Sequence, residues 1–335
     1  MIKKPSLSIP MDIKKTALLW GLPVISALII YKNFTDHTSL LFKVNKTNVV
    51  ASAPKSVVKT KTQKVAQQKI LSVNGLHTFN ANTVMDIKKS FTEYNYDLKN
   101  NVVPRIQPNH MPKDLNTITD VKYKKEMFIK LMLPMAIDIN NNIISKQKML
   151  SEIEGNFNDN ENLNAKDLKN LRYLGVKFGV KIKTKDIGGT IKKLKIKVQP
   201  IPVSLILAQA IVESGWGTSR FAILGNALFG QWTYNSKSDL IPINRDDGKT
   251  HSIKSFTSPY QSMKAYTSNI NRNGAYKKLR AIRNNISSNN NKVTGTALAD
   301  GLINYSQERE KYVKKIKTII KSNNLNKYDT YTLGE

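Results

Sequence analysis

Residues 209–217 read QAIVESGWG, and the chain runs on as TSRFAILGNALFGQW to Trp232. Glu213 ends a strongly apolar stretch, and a glycine- and tryptophan-rich turn follows at once. An apolar wall beside a carboxyl group raises its pKa and can keep it protonated at neutral pH. That is the state in which a carboxyl group protonates a leaving sugar oxygen. Upstream, Val203, Ile206, Leu207, Ala210 and Ile211 form an apolar face at helical spacing. The spacing predicts a helix from Gln199 to Glu213, with Pro202 in its first turn, where a missing N–H costs nothing, and Gly215 as its stop. Gln209 lies one turn before Glu213 on the same face, placed to bond the acid or a sugar. Trp216 and Trp232 fall within twenty residues of Glu213 and are either sugar-stacking platforms or core.

Outward from this stretch the chain reads as mainly helical. Residues 231–257 alternate short apolar runs with turn signals such as Asp246-Asp247-Gly248 and predict a small β-lobe. Pro259 opens a helix through Tyr260, Met263, Tyr266 and Ile270, and Tyr312, Ile316, Ile319 and Ile320 mark one face of a closing helix. On the N-terminal side, VMDIKKSFTEYNYDLKN is amphipathic, and Lys124–Leu150 reads as two helical segments around Pro134. Asn164 is an N-cap for a further helix, whereas lysine-rich residues 181–197, with Gly188-Gly189, read as a loop or weak hairpin. The expected division is a signal anchor at 1–34, a flexible basic linker at 35–82, a helical upstream region at 83–197, the Glu213 domain at 198–323, and a tail at 324–335.

The anchor expectation rests on TALLWGLPVISALIIY, Thr16–Tyr31, preceded by Lys14 and Lys15. A helix of that length spans about 24 Å, somewhat short of the ~30 Å hydrocarbon core, and Ile13 and Phe34 extend it. No small-x-small site follows closely, so the segment reads as uncleaved, with cleavage the alternative. Either way, the lysines ahead of the run put its start in the cytoplasm and export the rest. The inner membrane is thus an expected partner, with the catalytic domain in the periplasm or facing the wall.

The 335 residues carry 53 Lys and Arg against 24 Asp and Glu, a net charge of +29. Such an excess fits an anionic partner or simple compositional drift. It is spread along the chain, with no arginine-rich helix or aromatic RNA-binding signature, so nucleic acid is not an expected partner. There are no cysteines, and the four histidines are scattered, so neither a metal nor a cofactor is expected.

The string AQAIVESGWGTSRFA…GNALFGQW resembles the catalytic core of the bacterial glucosaminidases of glycoside hydrolase family 73, most of all their Bax-type branch. IKSF followed by SPYQSMKAYTSNINRNGAYKKLR, and LADGLINYSQEREKYVKKIKTII, resemble later segments of the family in the same order. The resemblance covers about residues 120–322. It implies an α+β, mainly helical, lysozyme-like fold with the cleft between a helical lobe and a small β-lobe. It implies hydrolysis of β-1,4 bonds between N-acetylated sugars of peptidoglycan glycan strands. Glu213 matches the family's essential acid, Tyr312 a tyrosine lining the cleft, and Phe229 and Gly230 the turn at the cleft floor. Tyr305, in the closing segment, is a further expected substrate contact. The second catalytic group stays open: Asp239, Asp246 or Asp247 of the β-lobe, Glu308 in YSQERE, or no essential partner at all. A lytic transglycosylase and a non-catalytic glycan-binding or scaffold protein are the alternatives.

Overall fold

The computed structural model describes residues 75–160, 162–233, 240 and 252–335. Residues 1–34 and most of the linker lie outside these, as do Asp239, Asp246 and Asp247 of the expected β-lobe. Among the described residues no helix is long and apolar enough to cross a membrane.

Two buried helices organise the molecule. Helix α2 runs unbroken from Val121 to Asn160, after α1 at Val84–Glu93. Residues 131–140 of α2 are all buried, so this middle stretch lacks the polar face of a surface helix. The expected break at Pro134 does not occur. A proline inside a helix costs about 3 kcal/mol, and apolar burial around this segment (Phe128, Leu131, Met132, Met135) outweighs it. Beside α2 lies α5, Val203–Ser214, and between them in sequence come α3 at Ala165–Phe178 and α4 at Ile187–Lys197. Asn164 caps α3 as expected, its side chain accepting from the Asp167 N–H.

The expected loop at 181–197 is largely helix. Asp186 caps α4 by accepting from the Gly189 N–H at 2.9 Å. A Cβ on Gly189 would meet the Asp186 carboxylate at 2.4 Å, so the glycine makes room for the cap. The buried Arg283 then ties the end of α4 to the lead-in of α5 by donating to the carbonyls of Ile196, Gln199 and Pro200.

Downstream come α6 (Arg220–Gly225), α7 (Pro259–Arg272), α8 (Lys277–Ser288), α9 (Gly295–Leu298) and α10 (Glu310–Ser322). Ser258 caps α7 and Pro259 opens it. The described strands are short. Trp232–Thr233 pairs antiparallel with Ser252–Ile253, with Leu240 bridging the latter, and these are the described parts of the expected β-lobe.

Both outer boundaries differ from expectation. The linker does not reach 82: Leu76 and Ala81 are fully buried, and His77–Phe79 pairs parallel with Ile106–Pro108. Residues 324–335 are no free tail. Asp329 accepts from both the N–H and the hydroxyl of Ser204 at 2.7 and 2.8 Å, capping the start of α5. Thr332–Leu333 then pairs parallel with Val102–Val103, and Arg105 donates to the Gly334 carbonyl. A single apolar core runs from Leu76 to Tyr331, across the division expected at 197.

Candidate active site

Glu213 occupies the last turn of α5, whose residues are buried except at Val212. The helix ends abruptly because Gly215, Trp216 and Gly217 all adopt positive φ, at 58°, 60° and 78°. Glycine takes this conformation freely, whereas Trp216 pays about 1–2 kcal/mol. At Gly217 a side chain has no room: a Cβ would lie 2.6 Å from Met111 Cε and 3.0 Å from the Phe128 ring. Trp216 packs edge-on against Phe128 of α2, with Lys125 over its ring. The Glu213 turn is thereby clamped onto the upstream helices. The Phe128 contact leaves Trp216 partly exposed.

Around Glu213 the side chains form an ordered relay. The Tyr312 hydroxyl, from α10, donates to Glu213 Oε1 at 2.7 Å. That hydroxyl in turn accepts from Gln209 Nε2 at 3.1 Å. Gln209 Oε1 accepts from the Tyr266 hydroxyl of α7. Each hydroxyl has one proton to give, so the relay is directional and ends on the carboxyl group. Ring stacking fixes its members: Tyr266 lies flat on Phe229 with centroids 4.0 Å apart, and Tyr312 on Tyr305 at 5.2 Å. The Tyr305 hydroxyl donates to the Phe229 carbonyl at 3.3 Å, closing the two stacks on each other.

Glu213 itself is only 8% exposed. Burial pushes its pKa up to about 7; the Tyr312 hydrogen bond and the Lys315 charge oppose this, and Glu308 adds slightly to it. The group is thus poised to give up a proton near neutrality, and Tyr312 bonds to the carboxylate left behind. Burial raises Tyr312 well above the usual tyrosine range, so its hydroxyl stays a donor.

Sequence reasoning placed several of these residues differently. Gln209, Phe229 and Tyr305 were expected to touch substrate, yet their side chains are 0%, 1% and 3% exposed. They hold the two tyrosines instead: Gln209 and Tyr305 contact Tyr312, and Phe229 stacks on Tyr266. Gln209 reaches Glu213 only through Tyr312. Gly230, partly exposed with φ at 56°, is where the chain turns out of this packing. Trp232 opens the short strand beside it. Glu308 is close enough for its charge to act on Glu213, but it is ion-paired to Lys315 at 2.8 Å. Tyr266 was legible only as one residue of an apolar helix face; its hydroxyl role depends on a partner 57 residues away. Among the described residues no group of three or more His, Asp or Glu is placed to hold a metal.

Residues 189–325 match the family model described as mannosyl-glycoprotein endo-beta-N-acetylglucosaminidase. Over 195 residues the chain is 29% identical to Protein bax of Escherichia coli (strain K12). Together these matches support a Bax-type glucosaminidase-like domain in this part of the chain. The alignment covers 56% of this chain and 66% of the relative, so the chain spans just under two thirds of that protein's length. No solved structure matches the chain significantly. The glucosaminidase-like domain contains the whole relay, since Gln209, Glu213, Tyr266 and Tyr312 all lie within the matched residues. Its α5 rests on α2, which precedes the matched span.

Proposed function

We propose that this chain is a peptidoglycan hydrolase, an endo-β-N-acetylglucosaminidase with a lysozyme-like fold and Glu213 as its general acid. The observation that carries the reading is the buried Glu213, held by Tyr312 at 2.7 Å and raised to about 7. In this mechanism Oε1 keeps the Tyr312 bond while the second carboxyl oxygen gives its proton to the glycosidic oxygen. The Tyr312 bond favours the anion, so it strengthens as the proton leaves, in step with positive charge on the sugar ring. Gln209 and Tyr266 hold Tyr312 in the donating orientation. The family match supports a glycan substrate, and the basic surface supports an anionic polymer such as the wall. Residues 16–31 would hold the enzyme on the inner membrane with this domain outside it.

The test is digestion of purified peptidoglycan by the full chain and by Glu213→Gln, with mass spectrometry of the released sugars. Fragments ending in reducing N-acetylglucosamine, from the native chain alone, are the expected result. Anhydro-muramic ends would make it a transglycosylase. Release by neither protein, with polymer binding retained, would make it a binding protein.

A further inference from the structure

Helix α7 has two working faces. One presents Tyr266 to Gln209. The other, through Tyr260, Lys264, Thr267 and Asn271, lines a cavity of about 430 Å³ shared with α2 and α3. This volume is in the range of small-molecule sites. We infer that this cavity is a second ligand site, which takes a small anion, a carboxylate or a phosphate.

Four cations from three helices line the cavity: Lys146 of α2, Lys177 of α3, and Lys264 and Arg272 of α7. No carboxylate is among the lining residues, and none of the four cations has an ion-pair partner among the described residues. Asp138 is buried and already bonded to Tyr260 and Asn142. The cations oppose one another: burial, then Lys177 and Lys264, hold Lys146 below the usual lysine range, with Asp138 acting against them. An anion at the centre reverses that repulsion. Ile139, Ile143 and Phe178 form the apolar part of the wall.

The general lysine content of the chain does not account for this. A second groove, between α8, α9 and α10, is also lined by four lysines, but Asp300 and Glu310 line it too, and Lys317 pairs with Asp300 at 2.7 Å. There a carboxylate pairs directly with a lining lysine; in the α2–α3–α7 cavity four cations face one carboxylate, Asp138, which acts on Lys146 and Lys264 without an ion pair. Asn271 is fully buried in the cavity wall, where its Nδ2 donates to the Gln199 carbonyl at 3.0 Å. None of this depends on the glycosidase reading, since the cavity shares no lining residue with the Glu213 relay.

The experiment is calorimetric titration of the full chain with glycerol 3-phosphate and with N-acetylglutamate, at constant ionic strength, with glycerol and N-methylacetamide as uncharged controls. One-site saturation by at least one of the anions and by neither control is expected, with Kd below about 1 mM. A Lys146→Met/Lys264→Met variant should bind at least tenfold more weakly, Lys264→Arg should retain binding, and Glu213→Gln should bind as the native chain does. Saturation by the phosphate alone, or by the carboxylate alone, supports the site and names its anion. No saturation by either, or equal affinity in the double variant with its melting temperature unchanged, overturns the proposal.

Discussion

Two buried carboxyl groups in this molecule receive a tyrosine hydroxyl at the same distance. Tyr312 donates to Glu213 at 2.7 Å, and Tyr260 to Asp138 at 2.7 Å. Burial raises both pKa values, yet the company differs. Asp138 has a second donor in Asn142 and is favoured as an anion by Arg105 and Lys264. Glu213 has Tyr312 and the charge of Lys315, the latter offset by Glu308. Asp138 is therefore compensated on several sides and ties α2 to α7. Glu213 depends largely on one hydroxyl and is the group free to trade its proton. A short bond to tyrosine does not mark a catalytic acid; what else surrounds the carboxyl group does.

The strongest way to break the comparison is Glu213→Gln. A neutral amide cannot give a proton, and glycan cleavage should fall about 10³–10⁴-fold, measured by release of reducing sugar ends. The native chain should lose activity as pH rises through about 7, because the acid must be protonated. Stability follows the same sign. With a folded pKa above the unfolded one, the folded state binds more protons between about 4.5 and 7. Glu213 therefore costs nothing below 4.5 and progressively destabilises the fold as pH rises to 7. The cost reaches roughly 3 kcal/mol above that. Glu213→Gln should accordingly melt higher than the native chain at pH 8 and level with it at pH 4, as thermal unfolding at both pH values will show.

Tyr312→Phe should lower kcat about 10–100-fold, the worth of one hydrogen bond to a charged group. Because that bond favours the carboxylate, its loss should also move the alkaline limb of the pH profile upward, a displacement that a merely loosened fold would not produce. Asp138→Ala tests the other half. It leaves the Tyr260 hydroxyl buried without its partner and should cost about 1–3 kcal/mol in urea denaturation. The alkaline limb should stay where it is.

How much of this was legible in sequence depends on how local each signal is. The end of α5 is written within nine residues: an apolar helix, Glu213, then a turn that needs glycine at 215 and 217. The caps of α3 and α7 are equally local. The unbroken α2 was not legible, because what overrides Pro134 is packing by distant segments. Nor was the place of residues 324–335: the parallel pair of Val102–Val103 with Thr332–Leu333 joins opposite ends of the described chain and leaves no nearby pattern. The relay falls between these cases. Glu213 and Tyr312 stood out through family resemblance. The order of donors from Tyr266 through Gln209 to Tyr312 exists only once three helices converge.

The finest test concerns the Lys315–Glu308 pair, whose charges act on Glu213 with opposite sign. Lys315→Met removes a cation that favours the anion, so the alkaline limb should move up. Glu308→Gln removes an anion that opposes it, so the limb should move down. Each displacement should be less than about one pH unit, since the pair is partly exposed, and should shrink as salt is added. The double variant should lie close to the native profile, slightly on the Lys315→Met side, because the lysine is the larger influence. The same Glu308→Gln measurement separates two roles for that carboxylate. A residue that only sets the charge around Glu213 displaces the limb and leaves the plateau rate standing. A second catalytic carboxylate would take the plateau down about 10²-fold or more at every pH. The ion pair at 2.8 Å, already occupying Glu308, favours the first outcome.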